Sequence, residues 1–311
     1  MAVPGCKGRT ASARNLDLLQ VAKELLEFGE ARNDRDATFQ GYASSAMSWF
    51  HVGDFVAARA HAERALALYD PAFWATNSVS PQSYAGMFVF RSLGYLGYLD
   101  QARFRRDAEL ELARKQAHAH TLAMLLGVSL LFDMHIRRDA ASLLSNSEHL
   151  GTLSAEHGFP YWEAYSAWGR GCCLSISGRS DQAIPLITEA VNAYQAIGAV
   201  TAVPMFLTSL AEALGKAGRL SEGLEKLNDA ARQIEANQEG WTEADMHRVR
   251  GELLIGIGDL EAAEQSFHQA IAVARRQTAH FLQLTPVQDQ AIAARMALIV
   301  GGATFDGYLP A

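Results

Sequence analysis

The sequence predicts an all-α solenoid, a curved stack of helix hairpins, and three observations predict it. Gly178, Gly218 and Gly258 stand forty residues apart, and the residues around them keep their character at fixed offsets. Apolar residues recur at helical spacing on both sides of each glycine: Leu207, Leu210, Ala211 and Leu214 before Gly218, then Leu220, Gly223, Leu224 and Leu227 after it. No window of useful length alternates with period two, so no sheet is expected. A period of this length means one supersecondary unit stacked on copies of itself, each covering its neighbour's apolar face.

The elements follow in chain order. Residues 1–13 carry no pattern and are expected to be disordered, with the solenoid occupying 14–300. Asn15 to Glu30 reads as an amphipathic helix (Leu16, Leu19, Ala22, Leu25, Leu26) with no partner before it. It fits the second helix of a repeat whose first is missing, as if the chain began inside a longer array. Gly53-Asp54-Phe55 is followed by Ala58, Ala62 and Ala65; Gly97 by Leu99 and Ala102; Arg138-Asp139 marks the next turn. The glycine-equivalent positions are 53, 97, 138, 178, 218 and 258, spaced 44, 41, 40, 40 and 40 apart, which gives about six repeats after the half repeat.

In the three regular copies Gly171, Ala211 and Gly251 lie seven residues before the glycine and Leu174, Leu214 and Leu254 four before. Ala183, Gly223 and Ala263 lie five after, Ile187, Leu227 and Phe267 nine after, and Ala190, Ala230 and Ala270 twelve after. The second and third copies are degenerate, with Glu109 and Leu150 at the last of these offsets. A glycine at the junction suits the left-handed conformation that ends a helix. Asp54, Asp139, Ser180, Ser221 and Asp259 fall where caps of the second helix are expected. Pro286 suits the first position of a last helix, Pro286 to Ile299, that covers the open end, and 301–311 is a loose tail.

The run from Ala46 to Pro71, AMSWFHVGDFVAARAHAERALALYDP, resembles the tetratricopeptide repeat in its pattern of small and aromatic residues. The copies exceed the usual length of about 34 residues, which points to the longer-helix variety. HEAT repeats share the length but lack the glycine-acid turn and rank second. The runs EHGFPYWEAYSAWGRGCCLSISGR and GAVTAVPMFLTSLAEALGKAGRLSEGLEKLNDA, with WTEADMHRVRGELL and AEQSFHQAIAVARRQ, are similar to the C-terminal repeat regions of bacterial multidomain proteins. Those begin with an adenylate cyclase or a winged-helix domain and continue with a P-loop ATPase. The resemblance covers roughly residues 15 to 280 and implies a sensing or partner-binding arm. No GxxxxGK[ST] loop and no cyclase metal-binding pattern occur in this sequence.

Composition bounds the function classes. The chain has 311 residues, 49 % hydrophobic and 20 % charged, as ordinary globular proteins do. Its net charge of −7 opposes general nucleic-acid binding. The longest apolar run, Leu122 to Phe132, is too short to span a bilayer. Three cysteines without framework spacing (Cys6, Cys172, Cys173) and no apolar leader point to a reducing, cytoplasmic setting. No nucleic-acid or membrane partner is expected.

Candidate chemistry is sparse. His118 and His120 lie on different helix faces, and no HxxxH or CxxC spacing occurs, so no metal or cofactor is expected. Cys172-Cys173 reads as two small hydrophobes at a helix contact rather than a redox pair. Glu239, Glu243, Asp245 and Glu252 near Arg248 and Arg250 read as surface ion pairs, since no nucleophile accompanies them. Trp162 and Trp241 occupy nearly equivalent places and are expected to fill the space between adjacent units. The protein is expected not to be an enzyme.

The sharper expectation concerns the concave face. In tetratricopeptide arrays the first helix of each unit lines it, at positions thirteen, ten and six before the glycine. These are Tyr165, Trp168 and Cys172, then Met205, Thr208 and Glu212, then Asp245, Arg248 and Glu252. Apolar anchors grading into orienting polar groups suit a peptide segment or small effector. The expected function is therefore a binding scaffold. The alternative is a detached sensor arm acting on a separately encoded ATPase, cyclase or regulator.

Overall fold

The computed structural model describes residues 15–71, 79–134 and 140–280. Thirteen α-helices occupy them: α1 (Asn15–Arg32), α2 (Arg35–Val52), α3 (Phe55–Leu68), α4 (Pro81–Tyr95), α5 (Leu99–Gln116), α6 (Ala119–Phe132) and α7 (Ala140–His157). They continue as α8 (Pro160–Ile176), α9 (Ser180–Ala196), α10 (Val203–Lys216), α11 (Leu220–Asn237), α12 (Glu243–Ile257) and α13 (Leu260–Arg276), with a 3-10 turn, Gly240–Thr242, before α12. No strand occurs among the described residues. The six hairpins run from α2–α3 to α12–α13, and α1 is the lone half repeat before them. Arg138-Asp139, the Pro286 helix and both chain ends lie outside the described residues.

The repeat residues are the contacts that hold each hairpin. Gly178, Gly218 and Gly258 have φ of 74°, 76° and 85°, the left-handed conformation that glycine adopts without a Cβ penalty. The small residue seven before the glycine faces the apolar one nine after it. A Cβ on Gly171 would come within 2.5 Å of Ile187, and one on Gly251 within 2.5 Å of Phe267. Ile187, Leu227 and Phe267 are accordingly sealed from solvent, as are Ala183, Ala190, Ala230 and Ala263. One of the degenerate copies carries a compensating change. Glu109 replaces alanine, and Gly86 on the preceding helix makes room for it; Leu150 also replaces alanine, but Gly127 on the helix before it makes room for Trp162 and meets Leu150 only at ordinary contact distance. Asp54 and Asp259 cap α3 and α13 by accepting from Ala57 N and Ala262 N. Ser180 and Ser221 do not cap; they lie inside the first turns of α9 and α11, where Arg179 and Arg219 hold the cap position without a side-chain bond.

First helices form an inner layer (α2, α4, α6, α8, α10, α12) and second helices an outer one. The inner layer is the more apolar: α4, α6 and α10 bury most of their residues, as helices packed on several sides must. The outer α11 and α13 bury one stripe each.

The sequence suggested an arch with an open end, but the described residues close end to end. Trp241, on the turn before α12, packs on Phe50 of α2 at 5.7 Å between ring centroids and also meets His51 and Tyr95. Asn15 Nδ2 donates to the Asn237 carbonyl (2.9 Å), and Gln277, which donates to the Gly240 carbonyl (2.7 Å) within its own repeat, lies so close to Gly53 that a Cβ there would come within 2.5 Å of its Nε2. Gly240 lies so close to the Val52 carbonyl that a Cβ would come within 2.4 Å of it. The stack thus curls into a ring, and its concave face becomes an interior.

Candidate functional site: the interior of the ring

Packing between adjacent units decides where most of the expected groove residues go. Tyr165, Trp168, Cys172, Met205, Thr208 and Glu212 are buried, Trp168 and Cys172 completely. Trp168 stacks on Phe206 with ring planes 3° apart and centroids 5.4 Å apart. Tyr165 packs edge-on against the same ring. Thr208 Oγ1 donates to the Pro204 carbonyl within its own helix. These side chains are core as they stand, because α8 and α10 of adjacent units pack them against each other. Asp245, Arg248 and Glu252 keep partial exposure. Arg248 Nε donates to Asp245 (2.8 Å), its Nη1 to Glu252 (2.6 Å), and its Nη2 lies 3.6 Å from Glu212, which Lys216 also approaches at 3.0 Å. The structure therefore gathers Glu212, Asp245, Arg248 and Glu252 into one ionic cluster, and Tyr165 and Trp168 into one aromatic cluster.

Cys172 and Cys173 are both buried, and burial pushes each thiol above its usual range. Cys173 Sγ donates to the Ala140 carbonyl. Two inert core thiols are expected, since only the thiolate reacts. In a Cys6→Ser variant at pH 8, Ellman's reagent should therefore find no fast thiol in the native protein and two in urea. A fast native thiol would restore the redox reading.

The inner wall has a second part that the nine residues did not include. Tyr84, Phe88, Arg91 and Tyr95 follow one another on α4 at i, i+4, i+7 and i+11, so one face carries all four. The Arg91 guanidinium carbon sits 3.9 Å over the Phe50 ring, 5.2 Å from Trp241 and 5.8 Å from Phe88. From α8, Tyr161 stacks on Tyr165, and its hydroxyl is 2.7 Å from that of Tyr194. Burial pushes the phenols of Tyr95, Tyr161 and Tyr165 up, with Arg91 opposing in each, so all three stay neutral. Glu239 lies beneath this wall, fully buried. Its Oε1 accepts from Trp241 Nε1 and from the Ala202 amide, both at 2.7 Å, while Oε2 has no partner. Burial raises its carboxyl to about 7, against the opposing bonds from Trp241 and Ala202 and the charge of Arg91.

A signal for this wall was in the sequence. Applying the thirteen, ten and six offsets to Gly97 selects Tyr84, Met87 and Arg91. The irregular spacing of that copy concealed it.

An outer cleft between α9, α10 and α11 has an apolar floor that includes Ile184, Val191 and Leu210. Its rim charges pair with one another, Arg219 with Glu222 and Arg232 with Asp229, so it reads as a solvated outer face. Among the described residues no group of three or more His, Cys, Asp or Glu could hold a metal ion, and no helix is long and apolar enough to cross a membrane.

No family model matches the chain, and no curated protein matches it. Among solved structures it is similar to a Rap protein complexed with Competence and Sporulation Factor. The likeness covers 90 % of this chain and 83 % of that one at 12 % identity, with a TM-score of 0.58. At that identity the likeness is one of fold. The architecture of this chain is thus an all-α, tetratricopeptide-like helical repeat.

Proposed function

We propose that the protein is a non-enzymatic scaffold that takes a peptide segment or small effector against its inner wall. The observation that carries this reading is the mixed patch of partly exposed Tyr84, Arg91, Tyr95, Tyr161, Asp245, Arg248 and Glu252 within an otherwise apolar ring. Apolar rings with a few convergent polar groups are what effector sites offer. The solved structure of similar fold, a complex with Competence and Sporulation Factor, supports it by analogy. Tyr165, Trp168, Cys172, Met205, Thr208 and Glu212 then form the support behind this patch, and they reach a ligand only if the hairpins part. Binding would act by shifting the ring between closed and open forms. The runs similar to regulator arms favour a second form of this reading, in which the partner acted on is a separately encoded ATPase, cyclase or regulator in the cytoplasm.

The test is affinity selection from a soluble synthetic heptapeptide library, followed by amide exchange of the complex. Recovered peptides are expected to protect α4, α8 and α12. Protection confined to α9 and α11 would move the site to the outer cleft, and recovery of no peptide would end the reading.

A further inference from the structure

Two other arginines show how this fold normally treats a guanidinium. Arg106 is buried and ion-pairs with buried Asp133 at 3.2 Å and with Asp107 at 2.9 Å. Arg248 is held among Asp245, Glu252 and Glu212. Arg91 is treated differently. It makes no hydrogen bond or ion pair with any described residue, and its close neighbours are the rings of Phe50, Trp241 and Phe88. Burial is the main influence on it and works against its charge, yet the side chain keeps partial exposure. Ring faces attract a cation but leave the five N–H donors of the fork unsatisfied. A desolvated charge without a bonded counter-charge is costly, and the carboxyl of Glu239 favours the charge of Arg91 without forming an ion pair with it.

We propose that Arg91 is the anion-recognition residue of the interior, receiving a carboxylate of a peptide effector whose apolar side chains lie on the partly exposed rings of Tyr84, Tyr95 and Tyr161. This rests on the peptide-binding reading above. The planar fork matches a carboxylate through two parallel bonds, and the low dielectric of the aromatic surround strengthens them. A single negative charge fits better than a phosphate dianion. Asp245 is near enough to Tyr95 to raise its phenol, so a second negative charge would be repelled. Tyr84 and Met47 already bond each other (3.0 Å), which leaves the guanidinium, with the Tyr95 hydroxyl beside it, as the charged open donor of this face.

The experiment uses two forms of the same heptapeptide library on the full-length protein, one with free C-terminal carboxylates and one amidated. Peptides recovered by the parent are expected to carry a carboxylate, either terminal or on Asp or Glu, and the two library forms tell which. Arg91→Met keeps the apolar shape and should weaken these peptides about 10- to 100-fold, as loss of hydrogen bonds to a charged group does. Arg91→Lys should weaken them less, since it keeps the charge without the fork. Thermal melts of both variants report folding. Arg91→Met binding with parental affinity, or recovery that ignores carboxylates, overturns the proposal while the scaffold reading stands. A lowered melting temperature with unchanged affinity overturns it too and makes Arg91 a packing residue. If the parent recovers nothing, the scaffold reading has failed first.

Discussion

Replacing Trp241 with alanine is expected to cost about 3–5 kcal/mol of stability, as other truncations of buried tryptophan do, and also to lengthen the molecule in solution. The ring is 1 % exposed and touches Phe50, His51 and Tyr95, all from the first two hairpins. In an open solenoid each unit touches only its neighbours, so a core truncation weakens one interface and leaves the curvature alone. Trp241 is different because its contacts join the ends of the stack. Its removal also takes the Nε1 donor from Glu239 and leaves that buried carboxyl with the Ala202 amide alone. Trp162 is the control. It lies near the equivalent place of its own repeat and packs over Gly127 in the neighbouring hairpin. Trp162→Ala should lose comparable stability in urea without a change in radius of gyration. If small-angle scattering gives the two variants the same dimensions as the parent, the ends are not held by Trp241.

The contrast between these tryptophans shows what the sequence carried and what it did not. The hairpin is encoded locally. Glycine at a left-handed turn, a small residue seven before it and an apolar one nine after it meet within one unit, and each leaves its mark in forty residues. The substitution at Glu109 looked like decay, but the matching glycine at 86 makes it a paired change in the same contact. Ring closure has no such local mark. It follows from small rotations summed over six repeats, so Trp241 reads in sequence as another filler between adjacent units. Trp168 and Cys172 are buried by the adjacent unit, with Trp168 flat on Phe206 of α10, a contact that the repeat offsets alone do not reveal. Arg91 falls between these cases. The offset rule finds its position, but its lack of a partner depends on which carboxylates the closed ring brings near.

Glu239→Gln is expected to make the protein more stable at pH 8 by about 3 kcal/mol and to flatten part of its pH profile. The carboxyl titrates near 4.5 in the unfolded chain and at about 7 in the folded one. Below pH 4.5 both forms hold the proton and no penalty applies. Between 4.5 and 7 the unfolded chain ionises while the folded chain stays protonated, so stability falls as pH rises. Above 7 both are ionised and the loss is complete. Glutamine has no charge to bury, and its oxygen keeps the bonds from Trp241 and Ala202 while its amide takes the place of the unpartnered Oε2. His51 and His247, lowered to about 3 and about 4 by burial, act in the opposite sense, adding stability as pH rises towards 6.5. They are present in both proteins and cancel in the difference. Urea denaturation of parent and variant from pH 4.5 to 8 should therefore give curves that meet at the acid end and diverge up to pH 7. Parallel curves would mean that the folded protein already ionises Glu239 near 4.5, and would remove the buried carboxylic acid from the ring junction. Diverging curves would show a junction tightened by acid, since the same carboxyl joins the start of α10 to the tryptophan that closes the ring.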